Sequence, residues 1–186
     1  MNSNNKKASI VIDLDDTLVH VTPIAPINLD IENSFTIIIK KRKFFVQKRP
    51  HLNYFLEKID KLYDVYIFTA SKKEYANKII DKIIPSCKES CRFFKDSCIK
   101  VSGYFVKDLK IINRPIKQML LIDDSAGSAL NNPKNLIKIK PWSGEKEDNV
   151  LIDLITILEK IAFDNDVVGS FIEIMKSRNF DGIDTF

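Results

Sequence analysis

The chain has 186 residues, of which 45% are hydrophobic and 29% charged, and carries a formal net charge of +4. That is apolar material for one sizeable core, and the mild charge without aromatic interleaving argues against direct nucleic-acid binding. The longest apolar candidate, Val150 to Phe163, is broken by Asp153, Glu159 and Lys160, which excludes a bilayer-spanning helix.

In chain order, the polar opening, residues 1–8, is expected to be disordered, and a single domain is expected over 9–177. Ile10 to Leu14 is a short apolar run of the kind buried on both faces of a parallel sheet, and it ends on Asp13-Leu14-Asp15-Asp16-Thr17. Phe35 to Ile39 and Lys43 to Val46 predict a β-hairpin inserted after the first strand, at about 22–48, turning through the basic cluster Lys40-Lys41-Arg42-Lys43. Pro50 suits a first helical turn, after which Leu52, Phe55, Leu56, Ile59 and Leu62 recur at helix spacing. Val65 to Phe68 predicts a second buried strand ending on Thr69. Ser71-Lys72-Lys73-Glu74 reads as a capping box for a helix that turns Tyr75, Ile79, Ile80 and Ile83 inward. Met119 to Ile122 predicts a third buried strand, ending on Asp123-Asp124, and Leu136 to Ile139 a fourth. Two helices follow, one carrying Leu151, Leu154, Ile155, Leu158 and Ile161 and the other covering Val167 to Met175, with 178–186 as a tail.

The expected fold is therefore α/β, Rossmann-like, with a central parallel sheet flanked by helices. Ligands of such sheets bind at the carboxyl ends of the strands, so Asp13, Thr69, Asp123 and Asp124 converge on one crevice although they are distant in sequence. Asp13 and Asp15 share a face of extended chain. Paired carboxylates there point to phosphoryl transfer: one holds Mg²⁺ and attacks phosphorus, the other delivers and then removes a proton. The insert is too short for a large cap, and an open site suits a protein segment better than a small metabolite. Cys87, Cys91 and Cys98 lie near neither His20 nor His51, so reduced thiols are expected rather than zinc ligands. The opening residues lack a signal-peptide run, and a nuclear or cytoplasmic location is expected.

Asp13-Leu-Asp-Asp-Thr-Leu-Val-His20, Lys48-Arg-Pro-His51, Phe68-Thr-Ala-Ser71, Phe105-Val-Lys-Asp-Leu109 and Leu121-Ile-Asp-Asp-Ser125 stand in the order of the small C-terminal-domain phosphatases of the haloacid dehalogenase superfamily. The chain resembles that family from about Ser9 to Phe163. The resemblance implies a Mg²⁺-dependent phosphatase acting on phosphoserine or phosphothreonine in proteins, the family's known target being the tail of RNA polymerase II. It implies Asp13 as the nucleophile that forms an aspartyl phosphate and Asp15 as the general acid and base. Thr69 holds a phosphate oxygen, and Lys107 neutralises charge around the phosphoryl group. Asp13, the backbone carbonyl of Asp15 and Asp124 are implied as metal ligands, with Asp123 the acidic partner of the lysine.

The resemblance further places Lys95, Ile37, Ile39 and Phe44 in substrate binding. Lys95 stands where an arginine is expected, Pro23 where an aromatic is, and Lys72 where a leucine is; lysine and arginine are not interchangeable on phosphate. Catalysis is therefore better supported than preference for any one phosphosite. Because Asp15 must be protonated for its first step, an acid-shifted pH optimum is expected. Two competing readings are a peptide-binding module resembling the mitochondrial translocase receptor domain and a small-molecule phosphatase of the same superfamily.

Overall fold

The computed structural model describes residues 7–27, 29–177 and 180–185. Three parallel strands form its centre: β1 (Ser9–Ile12), β5 (Asp64–Phe68) and β9 (Met119–Asp123), and every residue of β1 and β9 is buried. Adding β6 (Arg92–Phe93), β10 (Leu136–Ile139) and β11 (Ile183–Thr185) gives a six-stranded sheet ordered β11-β10-β9-β1-β5-β6. Only β11 runs antiparallel to its neighbour. Strands this short and buried on both faces carry almost unbroken Ile, Leu and Val because no position faces water.

Alternate residues of β1 feed two apolar clusters. Ile10 and Ile12 pack with α1 (Leu52–Leu62), α2 (Lys73–Ile83), α3 (Val150–Ile161) and α4 (Val167–Ser177). Val11 points the other way, to Phe68, Leu109, Ile112, Leu121 and Ala129, where short single-turn helices over Leu109–Ile112 and Ala126–Ala129 cover the sheet. The helix periodicities hold: Leu52, Phe55, Leu56 and Ile59 are buried along α1, and Leu151, Leu154, Ile155, Leu158 and Ile161 along α3.

Several local expectations are corrected. Pro50 is not in the first turn of α1; His51 caps that helix at φ 64, and the hydrogen-bonded turns start at Leu52. The capping box does not form, because Lys72 caps α2 without a side-chain bond and the Ser71 hydroxyl is engaged elsewhere. The insert is not a hairpin alone: β2 (Val19–Thr22) joins β3 (Ser34–Ile39) and β4 (Arg42–Lys48) in a three-stranded antiparallel sheet. Lys40 and Lys41, both at positive φ, make the tight turn between β3 and β4. In the stretch read as a tail, residues 183–185 add β11 to the main sheet, and Ala8, assigned to the disordered opening, is buried; residues 1–6 lie outside the described residues. A further hairpin escaped the periodicity reading, β7 (Ile99–Val101) and β8 (Tyr104–Val106), turning through Ser102 and Gly103. Among the described residues no helix is long and apolar enough to cross a membrane.

Candidate active site

The register of the sheet fixes the site. Ile12 pairs with Ile67 on one side and Ile122 on the other, so Asp13 emerges level with the ends of β5 and β9, at the point where the strand order reverses. The Asp13 amide donates to Ile122 O at 2.9 Å, continuing the ladder one residue beyond the strand. The chain then turns sharply: Leu18 N donates to Leu14 O at 3.0 Å and Asp16, at φ 56, donates to Val19 O at 2.8 Å. This turn sends Asp13 and Asp15 into a cleft of about 470 Å³, also lined by Thr69, Ser71, Tyr104, Phe105, Lys107, Asp123 and Asp124. A larger hollow near Arg114 and Phe163 lies at the opposite, amino-terminal end of the strands and holds none of these groups.

Lys107 is the electrostatic centre. It follows β8, its amide is tied to Ser128 O at 2.8 Å, and its buried ammonium reaches Asp13 Oδ1 at 2.5 Å and Asp123 Oδ2 at 2.6 Å. Burial alone would discharge it, but two carboxylates hold it protonated, with its pKa above the ordinary lysine value. One cation is thus shared between two anions, and Asp13 is left short of compensation. Burial pushes its carboxyl up to about 8; Lys107 opposes this, and Asp123 and Asp15 reinforce it. Asp124, half-buried, is raised to about 6 by burial and by the charges of Asp123 and Asp16.

A divalent cation fits these donors. Carboxylate oxygens of Asp13, Asp123 and Asp124 lie within 4.8 Å of one another, an all-oxygen set suited to a hard ion. Asp123 is already committed, one oxygen to Lys107 and the other to the Ser125 amide at 2.9 Å, whereas no bond of this kind occupies the Asp124 side chain among the described residues. Burial first, and then the neighbouring carboxylates, raise Asp13 and Asp124, and a bound cation would oppose both effects.

The structure brings Asp13, Asp15, Thr69, Lys107, Asp123 and Asp124 to one cleft. Four other predicted residues stand apart. Ile37 is buried in the core and Ile39 and Phe44 are partly buried against it, and none of the three lines the cleft. The side chains of β3 alternate, and Ile37 faces inward where α2 packs. Lys95 does not line the cleft either; its ammonium lies 4.3 Å from the centre of the Phe105 ring, which does. His20 Nδ1 donates to Asp16 Oδ1 at 2.7 Å and the ring meets Trp142 edge-on, so it supports the turn rather than facing the cleft.

Sequence reasoning missed the partners of Asp15. Ser71 Oγ donates to Asp15 Oδ2 at 2.7 Å, and the Tyr75 hydroxyl donates a short hydrogen bond to Asp15 Oδ1. Burial and the Asp15 charge raise Tyr75 far above the ordinary phenol value, which keeps it a donor. Tyr104 was missed as well: its ring covers Gly127, where a Cβ would sit 2.0 Å from Tyr104 Cδ1. The signal available for the first pair was position alone, since Ser71 and Tyr75 lie two and six residues beyond Thr69.

Comparison with known proteins follows the geometry. A family described as NLI interacting factor-like phosphatase matches residues 8–168. The chain is 36% identical over 168 residues to CTD small phosphatase-like protein 2 of Dictyostelium discoideum, covering 88% of this chain and 29% of that protein. It is 31% identical over 178 residues to CTD nuclear envelope phosphatase 1B of Danio rerio, covering 89% of this chain and 71% of that protein. The solved structure of fission yeast RNA polymerase II CTD phosphatase Fcp1 bound to beryllium fluoride superposes with a TM-score of 0.59 at 21% identity, covering 93% of this chain and 55% of that one. That likeness extends to the mostly parallel sheet and its helices.

Proposed function

The chain belongs to the NLI interacting factor-like phosphatases, and from that premise we propose that it is a Mg²⁺-dependent protein serine/threonine phosphatase that works through an aspartyl phosphate on Asp13. The observation that carries this reading is the convergence of Asp13, Asp15, Thr69 and Lys107 on one cleft at the carboxyl ends of the strands. Asp13 and Asp124 side chains, with the Asp15 carbonyl, would hold the metal. When bound, Mg²⁺ supplies positive charge against a phosphate dianion that would otherwise repel the nucleophile.

An oxygen of Asp13 attacks phosphorus as the bond to the serine oxygen breaks, and the Asp15 carboxyl gives that oxygen a proton. The Lys107 ammonium neutralises charge on the phosphoryl oxygens, and Thr69 Oγ1 adds a hydroxyl contact to one of them. Asp15, now a carboxylate, takes a proton from the water that attacks the aspartyl phosphate and releases inorganic phosphate with Asp13 restored. The substrate is a phosphoserine or phosphothreonine in an extended protein segment, which an open cleft with a small β-sheet beside it accepts. The relatives named as CTD phosphatases, one of them of the nuclear envelope, support a polymerase-tail or similar phosphoprotein as the substrate.

Purified protein with Mg²⁺ should hydrolyse p-nitrophenyl phosphate and phosphoserine peptides, and acid quenching of the reaction with labelled substrate should leave phosphate on the wild type and none on Asp13→Asn. Sugar phosphates turned over with the better kcat/KM would overturn the protein-substrate reading, and undiminished activity in Asp13→Asn would overturn the nucleophile.

A further inference from the structure

Resting on that phosphatase reading, we propose that Ser71 and Tyr75 form a hydroxyl clamp that fixes the Asp15 carboxylate over the phosphoryl site, making both of them positioning residues for protonation of the leaving oxygen. The clamp is built from two elements that differ from the one carrying Asp15. Asp15 sits in the turn after β1, whereas Ser71 lies in the loop after β5 and Tyr75 in the first turn of α2. Each carboxylate oxygen has its own donor, Ser71 Oγ on Oδ2 at 2.7 Å and the Tyr75 hydroxyl on Oδ1.

The local structure has been arranged at some cost to the helix. Lys72 occupies the cap position and gives no side-chain bond, so α2 begins uncapped, and Ser71, one residue earlier, spends its hydroxyl on Asp15. Ser71 is itself fixed from behind, because its amide donates to Thr69 Oγ1 at 3.0 Å. Tyr75 is held from the other side: its ring packs against the main core and its hydroxyl meets Asp15, which lines the cleft. A carboxylate with two rigid donors has one rotamer available, whereas a free aspartate on a turn samples several.

The chemistry says which step this serves. In the first half-reaction the Asp13–phosphorus bond forms, the phosphorus–oxygen bond to serine breaks, and the proton moves from Asp15 to the departing oxygen. Asp15 ends as a carboxylate, and two hydroxyl donors stabilise that product. Serine is a poor leaving group and needs the proton; p-nitrophenolate leaves without it. Since kcat/KM reports events up to the first irreversible step, loss of the clamp should depress the two substrates unequally.

The test compares kcat/KM of wild type, Ser71→Ala, Tyr75→Phe and the double variant on a phosphoserine peptide and on p-nitrophenyl phosphate, all in Mg²⁺. The double variant should lose about 10- to 100-fold on the peptide, a share of the 10²–10⁴ that positioned proton transfer supplies, and at least tenfold less on the nitrophenyl ester. Ser71→Thr, which keeps the hydroxyl, should restore most of the peptide rate to the Ser71→Ala background. Equal losses on both substrates, or no loss in a folded double variant, would overturn the clamp while leaving the phosphatase reading intact. Wild-type protein that hydrolyses neither substrate would overturn both.

Discussion

Asp13→Asn should abolish turnover and at the same time make the metal-free protein more stable. In the wild type the Asp13 carboxyl is pushed from 3.8 up to about 8, chiefly by burial; Lys107 opposes this, but its charge is shared with Asp123. Above pH 8 an ionised Asp13 therefore opposes folding, by roughly 6 kcal/mol at the limit set by about 1.4 kcal/mol for each pH unit between the two values. Side-chain rearrangement and water entry into an open cleft reduce this to about 2 kcal/mol, and asparagine removes it while still accepting from Lys107. For a domain of this size that is a rise in Tm of roughly 4–8 °C. The sign follows from proton linkage. A carboxyl whose folded pKa is raised binds its proton more tightly when folded, so the wild type gains stability as pH falls from about 8 toward 4 and loses it as pH rises. Asp13→Asn lacks that dependence, and the gap between the two proteins should be widest above pH 8 and close near pH 4. Thermal melts in EDTA from pH 4 to 9 measure it. A variant less stable than wild type at pH 8, or a gap that widens on acidification, would refute the reasoning.

Magnesium should raise the wild-type Tm at pH 8.5 and barely at pH 5, because protons compete for Asp13 below about 8 and for Asp124 below about 6; an equal shift at both pH values would argue against these carboxylates as ligands. Lys107→Met strips the shared cation from Asp13 and Asp123 and should cost about 3–5 kcal/mol in urea unfolding, and less in an Asp13→Asn background, the non-additivity expected of groups in direct contact. Arg49, fully buried, forks onto Asp148 at 2.8 Å through Nε and Nη2 and also reaches the carbonyls of Thr17 and Lys140. Arg49→Met should cost about 3–5 kcal/mol in chemical denaturation, and Arg49→Lys should fail to restore most of it because an ammonium cannot form the fork.

The sequence by itself determined the scaffold. Ile10 to Ile12, Val65 to Phe68 and Met119 to Ile122 are apolar runs with no polar face, and only a sheet covered on both sides accommodates them. Asp13, Thr69 and Asp123 follow directly on those runs, so their meeting at one edge was legible before any coordinates. Periodicity likewise marked α1, α2 and α3, whose apolar stripes are a local property of the chain. What lay beyond it were features decided by distant neighbours. Ser71-Lys72-Lys73-Glu74 has the pattern of a capping box, but the helix starts one residue later, with Lys72 at its cap, and the Ser71 hydroxyl meets Asp15 from another element. Ile37, which the resemblance placed in substrate binding, is buried, and the packing of β3 against α2 is a contact between distant segments. Ile183–Thr185 is too short to announce a strand and becomes one by pairing with the free edge of β10. Local pattern sets which face of a segment is apolar; which polar atom meets which is set by the closing of the sheet around them, and the geometry of Asp13, Lys107 and Asp123 exists only there.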